Sequence, residues 1–459
     1  MNILILFLVS VSISGWKIPF TSKKTNIHIS PKIPFPIDGF YGLIGPEIDT
    51  TKINTLFDLF TGNGIIQGIF IENGTATFSK TFLQTEKRIL EKSKFLLPFP
   101  FINWMGVANT AFLQYKDKTY ALFERDNPYL IDIQHDIKTV DTLGKYPIEE
   151  ISHFSAHSKI RCDGIETIDY DILRKKTTIY QLDHYFRIKT AWNIPMKYIP
   201  IIHDFISTPT SMVLLNSAFA VRMEFSLFPK KTIMSMELDR TKTSIFYRID
   251  RETQQIDRYY TDYAMYIFHY ADVYETEREI EIYAPVFESL DFAKLELHGK
   301  YRKIILDKKT KSVKIERNLA LEKFDLEFPV PFFHDDKQKI LLRYVDAVKD
   351  TDVVNSGFII CHKLEMETQI DYPGKCICGE PAILFLDDSA NVANVALPAN
   401  VANIALPANV ALPHAIFFTI DKDANGFFNV LNLVTLEKYE IPVLEKMTIG
   451  FHSIFQSRK

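Results

Sequence analysis

An all-β fold, either a propeller or a large barrel, is what the sequence predicts, and three observations predict it. Paired runs of alternating apolar and polar residues flank turn residues along nearly the whole 459-residue chain. The 36 Phe and 21 Tyr favour pleated strands over helices. No comparably long stretch keeps a helical period.

At the start of the chain, Ile3 to Gly15 is an uncharged apolar run ending in small residues before Trp16. It fits the core of a secretory signal over residues 1–18, although no Lys or Arg precedes it, and a hydrophobic strand or surface tether is the other reading. Gly62, Gly64 and Gly68 resemble a dinucleotide fingerprint with the third glycine displaced. The segment after them reads as a hairpin around Asn73-Gly74 and not as a phosphate-binding helix, so no nucleotide site is expected. Asn73-Gly74-Thr75 is also a glycosylation sequon, open to use only on the secretory route.

Glu86 to Lys94 and Tyr274 to Glu281 are read as short helices or extended loops. Between them lies Phe95 to Met105, an aromatic and proline-rich run in which Phe95, Leu96, Leu97, Phe99, Phe101 and Trp104 form a candidate membrane-contacting patch. A buried crossover segment is the competing reading. Further hairpins are expected at 119–133, 177–192, 244–260, 303–316 and 416–433. Residues 390–413 repeat Ala-Asn-Val units without a charge and read as a low-complexity loop insertion. No Pro- or Gly-rich linker divides the chain, so residues 19–459 are expected to form one domain.

A formal charge of −4 offers no electrostatic reason to expect nucleic acid. Cys162, Cys361, Cys376 and Cys378 are too few for a disulfide framework, and one Cys-x-Cys pair is a weak metal signal. Asp421, Asp423 and Asn425 match half a calcium loop, but Asn432 stands where its last carboxylate belongs, and a hairpin turn explains them better.

Four histidines stand out from the twelve. His157, His203, His269 and His452 each sit in a short run of aromatic, β-branched or small residues, a setting that would aim a neutral imidazole rigidly at a metal. Each one alone is more often a core or interface residue. His153 is the nearest competitor, and the remaining seven read as surface or strand-edge residues. A propeller would let ligands so far apart meet, because each blade can send a residue to the axis.

The motifs carrying these histidines occur in an order that resembles the carotenoid cleavage oxygenases, a family that also holds stilbene-cleaving oxygenases and a retinoid isomerohydrolase. The resemblance starts at Gly42 to Glu47 and runs through 60–74, 108–132, Ser155 to Lys159, His203 to Leu215, Phe268 to Glu275, Leu326 to Pro329 and Gly379 to Phe385, ending at Gly450 to Phe455. It implies a seven-bladed β-propeller with loops and short helices capping one iron(II) ion on the axis, held by His157, His203, His269 and His452. By the same resemblance Glu124 would orient His203, Glu327 would orient His269 and Glu380 would orient His452. The implied reaction is oxygen insertion across a carbon–carbon double bond of a carotenoid, apocarotenoid or stilbene. The partners would be that apolar substrate and molecular oxygen. A non-oxidative isomerohydrolase, or a secreted propeller that binds without turnover, are the alternatives. The chain departs from the family's pattern at Asn63, Gln67, Ser158 and Ser453.

Overall fold

The computed structural model describes residues 25–29, 32–47, 55–92, 105–227, 230–295, 297–347, 354–387 and 411–458. The apolar leader, the aromatic run as far as 104 and most of the Ala-Asn-Val repeat lie outside these residues.

Antiparallel hairpins form seven blades, as the alternating pattern predicts. The first blade joins Thr25–Ile29, Thr75–Phe82, Gly64–Glu72 and Gly39–Pro46 to the C-terminal strand Ser453–Ser457. Pairing of Gly39–Pro46 with that last strand, for example Tyr41 with Phe455, closes the ring between the two ends of the chain. The second blade spans Ala111–Tyr115 to Thr139–Lys145, the third Lys159–Arg161 to Ile188–Pro195, and the fourth Ile206–Ser207 to Ile256–Tyr260. The fifth runs from Asp272–Glu275 to Val313–Arg317, the sixth from Asp325–His334 to Glu365–Pro373, and the seventh from Cys376–Ile377 to Lys438–Lys446. An extra hairpin, Phe219–Leu227 with Lys230–Leu238, is inserted within the fourth.

Period-two alternation sends the two faces of each blade toward different neighbours, so the core is divided into layers between blades. Phe40, Ile66 and Phe70 of the first blade meet Ala121, Tyr129 and Ile131 of the second. Leu113 and Tyr120 meet Ile165 and Leu182, and Ile168 and Ile179 meet Met212, Leu214 and Tyr247. Val330, Leu341 and Phe358 of the sixth blade meet Ile383, Phe417 and Leu431 of the seventh. Because every blade is sandwiched, strands such as Ser211–Asn216 are buried on both faces.

Turn chemistry explains the hairpin ends. At 72–75 the positive φ of Asn73 (50°) and Gly74 (74°) supplies the backbone that a two-residue hairpin requires. The Gly64–Glu72 strand runs straight into this turn, which is why Gly62, Gly64 and Gly68 open no phosphate-binding helix. The Asp421–Asn425 segment is likewise a hairpin turn, and the Lys446 ammonium sits on Asp423 O and Asn425 Oδ1.

Two expectations are corrected. Glu86–Lys92 is a short helix, but Tyr274 to Glu281 is neither helix nor loop. Its ends belong to the strands Asp272–Glu275 and Glu279–Leu290, where Val273 pairs with Ile282 and Tyr274 with Glu281. Val273, Ile280 and Ile282 pack against the fourth blade and Tyr274 against the sixth, and this burial outweighs the local charge density. The tail of the repeat, Ala411 to Pro413, starts the strand Ala411–Ile420 and pairs with Phe385 to Asp387, so the insertion ends earlier than its composition suggests.

A short helix, Leu56–Phe60, is closed by a reciprocal capping box between Thr55 and Asp58. It docks on the fifth blade through Leu56 N–H to Lys294 O at 3.1 Å. The third and fourth blades are tied by Glu166, which is wholly buried and accepts hydrogen bonds from both terminal nitrogens of Arg251 and from Ser207 Oγ at 2.6 Å. Among the described residues, removing the cation would leave that carboxylate with Arg161, 3.6 Å away, to offset its charge. Arg251→Ala is therefore expected to cost about 3 kcal/mol, seen as a lowered thermal midpoint, whereas an unchanged midpoint would show the pair to be energetically idle.

Candidate metal centre

Each of the four singled-out histidines lies just before the innermost strand of a blade. His157 precedes Lys159–Arg161, His203 precedes Ile206–Ser207, His269 precedes Asp272–Glu275, and His452 immediately precedes Ser453–Ser457. Innermost strands surround the axis, so residues at their entrances can meet there.

They do meet. One ligating nitrogen from each lies within 4.8 Å of the other three. Nε2 of His157 is 2.9 Å from that of His203, which is 3.3 Å from that of His269, which in turn is 3.1 Å from that of His452. Two nitrogens at neighbouring octahedral positions around an ion, each about 2.1 Å from it, are about 3.0 Å apart. The spacing fits a single ion held by four imidazoles.

The opposite ring nitrogens decide which lone pairs face inward. His203 Nδ1 meets Glu124 Oε1 at 2.5 Å, His269 Nδ1 meets Glu327 Oε2 at 2.5 Å, and His452 Nδ1 meets Glu380 Oε2 at 3.0 Å. A carboxylate is an acceptor, so it holds the proton on Nδ1 and leaves Nε2 as a free donor of electrons. Among the described residues no ion pair joins His157 to a carboxylate. Its backbone is held instead by its N–H to Ser155 Oγ at 3.1 Å, beside Ser158, whose hydroxyl bonds Ser155 O and Thr167 Oγ1.

The three glutamates reach the site by different local devices. Glu124 lies in the turn between Lys118–Leu122 and Tyr129–Gln134. Glu380 lies between Cys376–Ile377 and Ala382–Asp387, and also accepts from Ser453 N–H at 3.4 Å. Glu327 sits at a bulge where the register shifts between Glu327 and Val330, and Phe328 adopts φ 49°. That backbone turns the Phe328 N–H onto Glu327 Oε2 at 2.6 Å and stacks the Phe328 ring on His269, with centroids 5.3 Å apart. The residue that sequence reasoning left out is thus Phe328, while Gln67, read from the sequence only as a departure from the family's pattern, also serves the site. Gln67 is wholly buried and bonds both backbone groups of Thr448, at 2.8 and 2.9 Å, holding the segment that leads to His452. Nothing about Phe328 in the sequence marks it apart from its motif.

The remaining histidines stay out of the cluster. His153 pairs with Asp169 at 2.9 Å and is 36% exposed. His414, expected at a surface or edge, is buried with Nδ1 against Leu412 O, because the strand carrying it is covered on both sides. The four cysteines are free thiols, three of them buried.

Beside the imidazoles opens a cleft with about 1100 Å³ of atom-free space, its mouth included. His203, His269 and His452 form part of its wall, and Phe57, Phe60, Phe268, Phe292, Phe328 and Phe451 line much of the rest. Phe60, on the capping helix, packs against Phe268, Phe292 and Phe451 with centroids 5.8 to 6.4 Å apart. A second space, lined by His157, His269, His452, Gln114, Asp204, Glu380 and the inner strands, also adjoins the cluster and is more polar.

Burial, with the neighbouring imidazoles adding to it, pushes His157 and His269 well below the ordinary histidine range. Burial acts the same way on His203, but the Glu124 carboxylate outweighs it and raises that group. Burial lifts Glu327 to about 7. On acidification of metal-free protein His203 should gain a proton before His157 and His269. Metal uptake below neutral pH should therefore release a proton from His203 and weaken as pH falls, which ring nitrogen NMR shifts and affinity measured against pH would check.

Comparison with known proteins agrees with this arrangement. The family described as retinal pigment epithelial membrane protein (RPE65) matches residues 19–393. A carotenoid 9,10(9',10')-cleavage dioxygenase 1 of Arabidopsis thaliana is 24% identical over 56% of this chain and 54% of its own length, and one of Phaseolus vulgaris is 24% identical over 57% and 53%. The chain thus spans about half the length of the curated relatives it matches. Among solved structures, a cobalt-substituted apocarotenoid oxygenase of Synechocystis superposes with a TM-score of 0.69 at 15% identity, covering 97% of this chain and 98% of that one. A chimera of that oxygenase with RPE65 superposes with a TM-score of 0.70, also at 15% identity, over 97% and 98%. With a seven-bladed propeller, four imidazoles spaced for one ion and a family match over most of its length, this chain belongs to the RPE65 and carotenoid cleavage oxygenase family.

Proposed function

We propose that this chain is an iron(II)-dependent oxygenase that cleaves a carbon–carbon double bond of an elongated conjugated apolar substrate, a carotenoid, apocarotenoid or stilbene, to carbonyl products. The observation that carries this reading is the adjacency of two unlike environments. Inward-facing imidazole nitrogens form one wall of a cleft whose other walls are chiefly aromatic.

His157, His203, His269 and His452 would hold the ion, and Glu124, Glu327 and Glu380 would keep three of them in the tautomer that presents Nε2. An iron(II) ion held by these four imidazoles would supply activation of molecular oxygen. The chain's own work is positional. Phe60, Phe268, Phe292 and Phe451 bury an apolar polyene and exclude water from the wall that His203, His269 and His452 share with it. Glu327 holds the proton of His269 at Nδ1, and Phe328 stacks on the His269 ring. The relatives named as carotenoid cleavage dioxygenases support the substrate class.

Purified protein is expected to retain one iron per chain and, under labelled oxygen gas, to give aldehydes or ketones carrying the label from a panel of β-carotene, apocarotenals and hydroxystilbenes. Iron-loaded protein that yields unlabelled products, or none, would overturn the oxygenase reading. Replacing His269 or His452 by Ala should abolish metal retention, and full iron content in either variant would remove that residue from the ligand set. Glu327→Gln keeps the side-chain volume and should weaken iron affinity or turnover about 10- to 100-fold with the fold intact, whereas an unchanged rate would show that Glu327 does not orient His269.

A further inference from the structure

The second space beside the imidazoles has about 1020 Å³ free of atoms, its mouth included. Its wall draws on the first blade at His452, the second at Gln114, the third at His157, the fourth at Asp204, the fifth at His269, the sixth at Val330 and the seventh at Ile383. A space walled by all seven blades lies on the propeller axis. His157 lines this space and not the aromatic cleft, whereas His203 lines the cleft and not this space. Gln114 is exposed, which places the mouth of the axial space beside it.

The two spaces offer a cation different partners. A hydrated divalent ion pressed against aromatic walls sheds water and gains no oxygen in return. The carboxylate on the aromatic cleft is Glu124, and both of its oxygens are engaged, Oε1 by His203 at 2.5 Å and Oε2 by Thr110 Oγ1 at 3.4 Å. The axial space has two buried carboxylates, Asp204 and Glu380. The side-chain hydrogen bonds of Glu380 both fall on Oε2, from His452 at 3.0 Å and the Ser453 N–H at 3.4 Å, so Oε1 is uncommitted among the described residues. Asp204 Oδ1 accepts from Lys159 Nζ at 2.6 Å and the Phe205 N–H at 2.7 Å, while Oδ2 has the Tyr270 N–H at 3.4 Å. Each carboxylate thus keeps one oxygen lightly held, directly beside the imidazoles.

We propose that the axial space is the route by which the metal ion reaches the four imidazoles, with Asp204 Oδ2 and Glu380 Oε1 replacing waters that the ion sheds, and that Gln114 stands at its mouth. The aromatic cleft takes no part in loading. The proposal rests on the imidazoles being a metal site and is independent of the reaction that the loaded protein performs. Lys159 opposes entry, because its ammonium offsets the Asp204 charge that draws a cation inward.

The test uses the full chain stripped of metal, with cobalt(II) as the probe and its visible absorption as the readout of uptake and of loss into excess chelator. Gln114→Trp fills the mouth at an exposed position and should slow uptake and loss alike, by about 10-fold. A route is shared by both directions, so their ratio, the affinity, stays as it was. Asp204→Asn should slow uptake by about 10-fold, and Lys159→Gln, which removes the opposing charge, should quicken it by a similar factor. Unchanged uptake in Gln114→Trp or in Asp204→Asn would overturn the route. So would slower uptake in Gln114→Trp with loss unchanged, since a weaker centre and not a narrower path would then be the cause. The two readings fail separately. No cobalt spectrum in the unaltered chain would remove the metal centre and the proposed function with it, whereas full loading at a rate indifferent to these variants would remove the route alone. Loading that follows the predicted order in a chain that cleaves no conjugated substrate would leave the route standing without the oxygenase.

Discussion

Four lone pairs aimed at one point are the constraint on which the centre depends. Neutral imidazoles whose Nε2 atoms stand 2.9 to 3.3 Å apart repel one another unless a cation or a proton lies among them. Burial makes protonation costly for His157 and His269, so a metal cation is the economical solution. The carboxylates and the imidazoles need each other. Glu327 is buried, with Oε1 lacking a hydrogen-bond partner among the described residues, and the contacts of Oε2 with His269 and Phe328, together with the nearby Arg343 charge, offset its desolvation.

The propeller meets this constraint through topology. An inner strand enters each blade at the axis, and a histidine placed one to three residues before that strand is aimed by a backbone already fixed through pairing. His452 shows the cost of such placement, because its strand is the last of the chain and must close the ring against Gly39–Pro46. Gln67 reinforces that closure by bonding both backbone groups of Thr448. The Gln67 amide can donate and accept at once. Ser158 and Ser453, the departures beside two ligands, are absorbed similarly: one hydroxyl bonds Ser155 and Thr167, and one backbone N–H bonds Glu380.

Local strain serves the cleft. Phe328 holds a left-handed φ that costs a bulky residue roughly 1–3 kcal/mol, and the bulge around it delivers a carboxylate to His269 and an aromatic ring to the cleft wall from adjacent positions. Arg343, wholly buried in the neighbouring strand, lies 4.8 Å from the centre of that ring and donates to Ile377 O, so the strained segment is backed by a cation tied into the next blade. Close superposition on relatives at only 15% identity has the same origin, since the blades need alternation and turn residues more than particular side chains.

Hairpin alternation, aromatic content and turns such as Asn73-Gly74 were legible in the sequence because strand pairing is largely local, and they determined an all-β chain of repeated antiparallel units. The motif order around His157, His203, His269 and His452 carried the number of blades and the residues at issue, since a motif records a spacing even when its partner is far away. Tertiary structure alone decided that His153 turns aside to Asp169 while His157 faces the axis, that His414 is buried, and that Tyr274 to Glu281 forms paired strands. It alone put Asp204 and Glu380 on one axial space. The physical reason is common to these cases: burial and long-range pairing are set by the neighbouring blade, and no window of sequence contains the residues of the blade next to it.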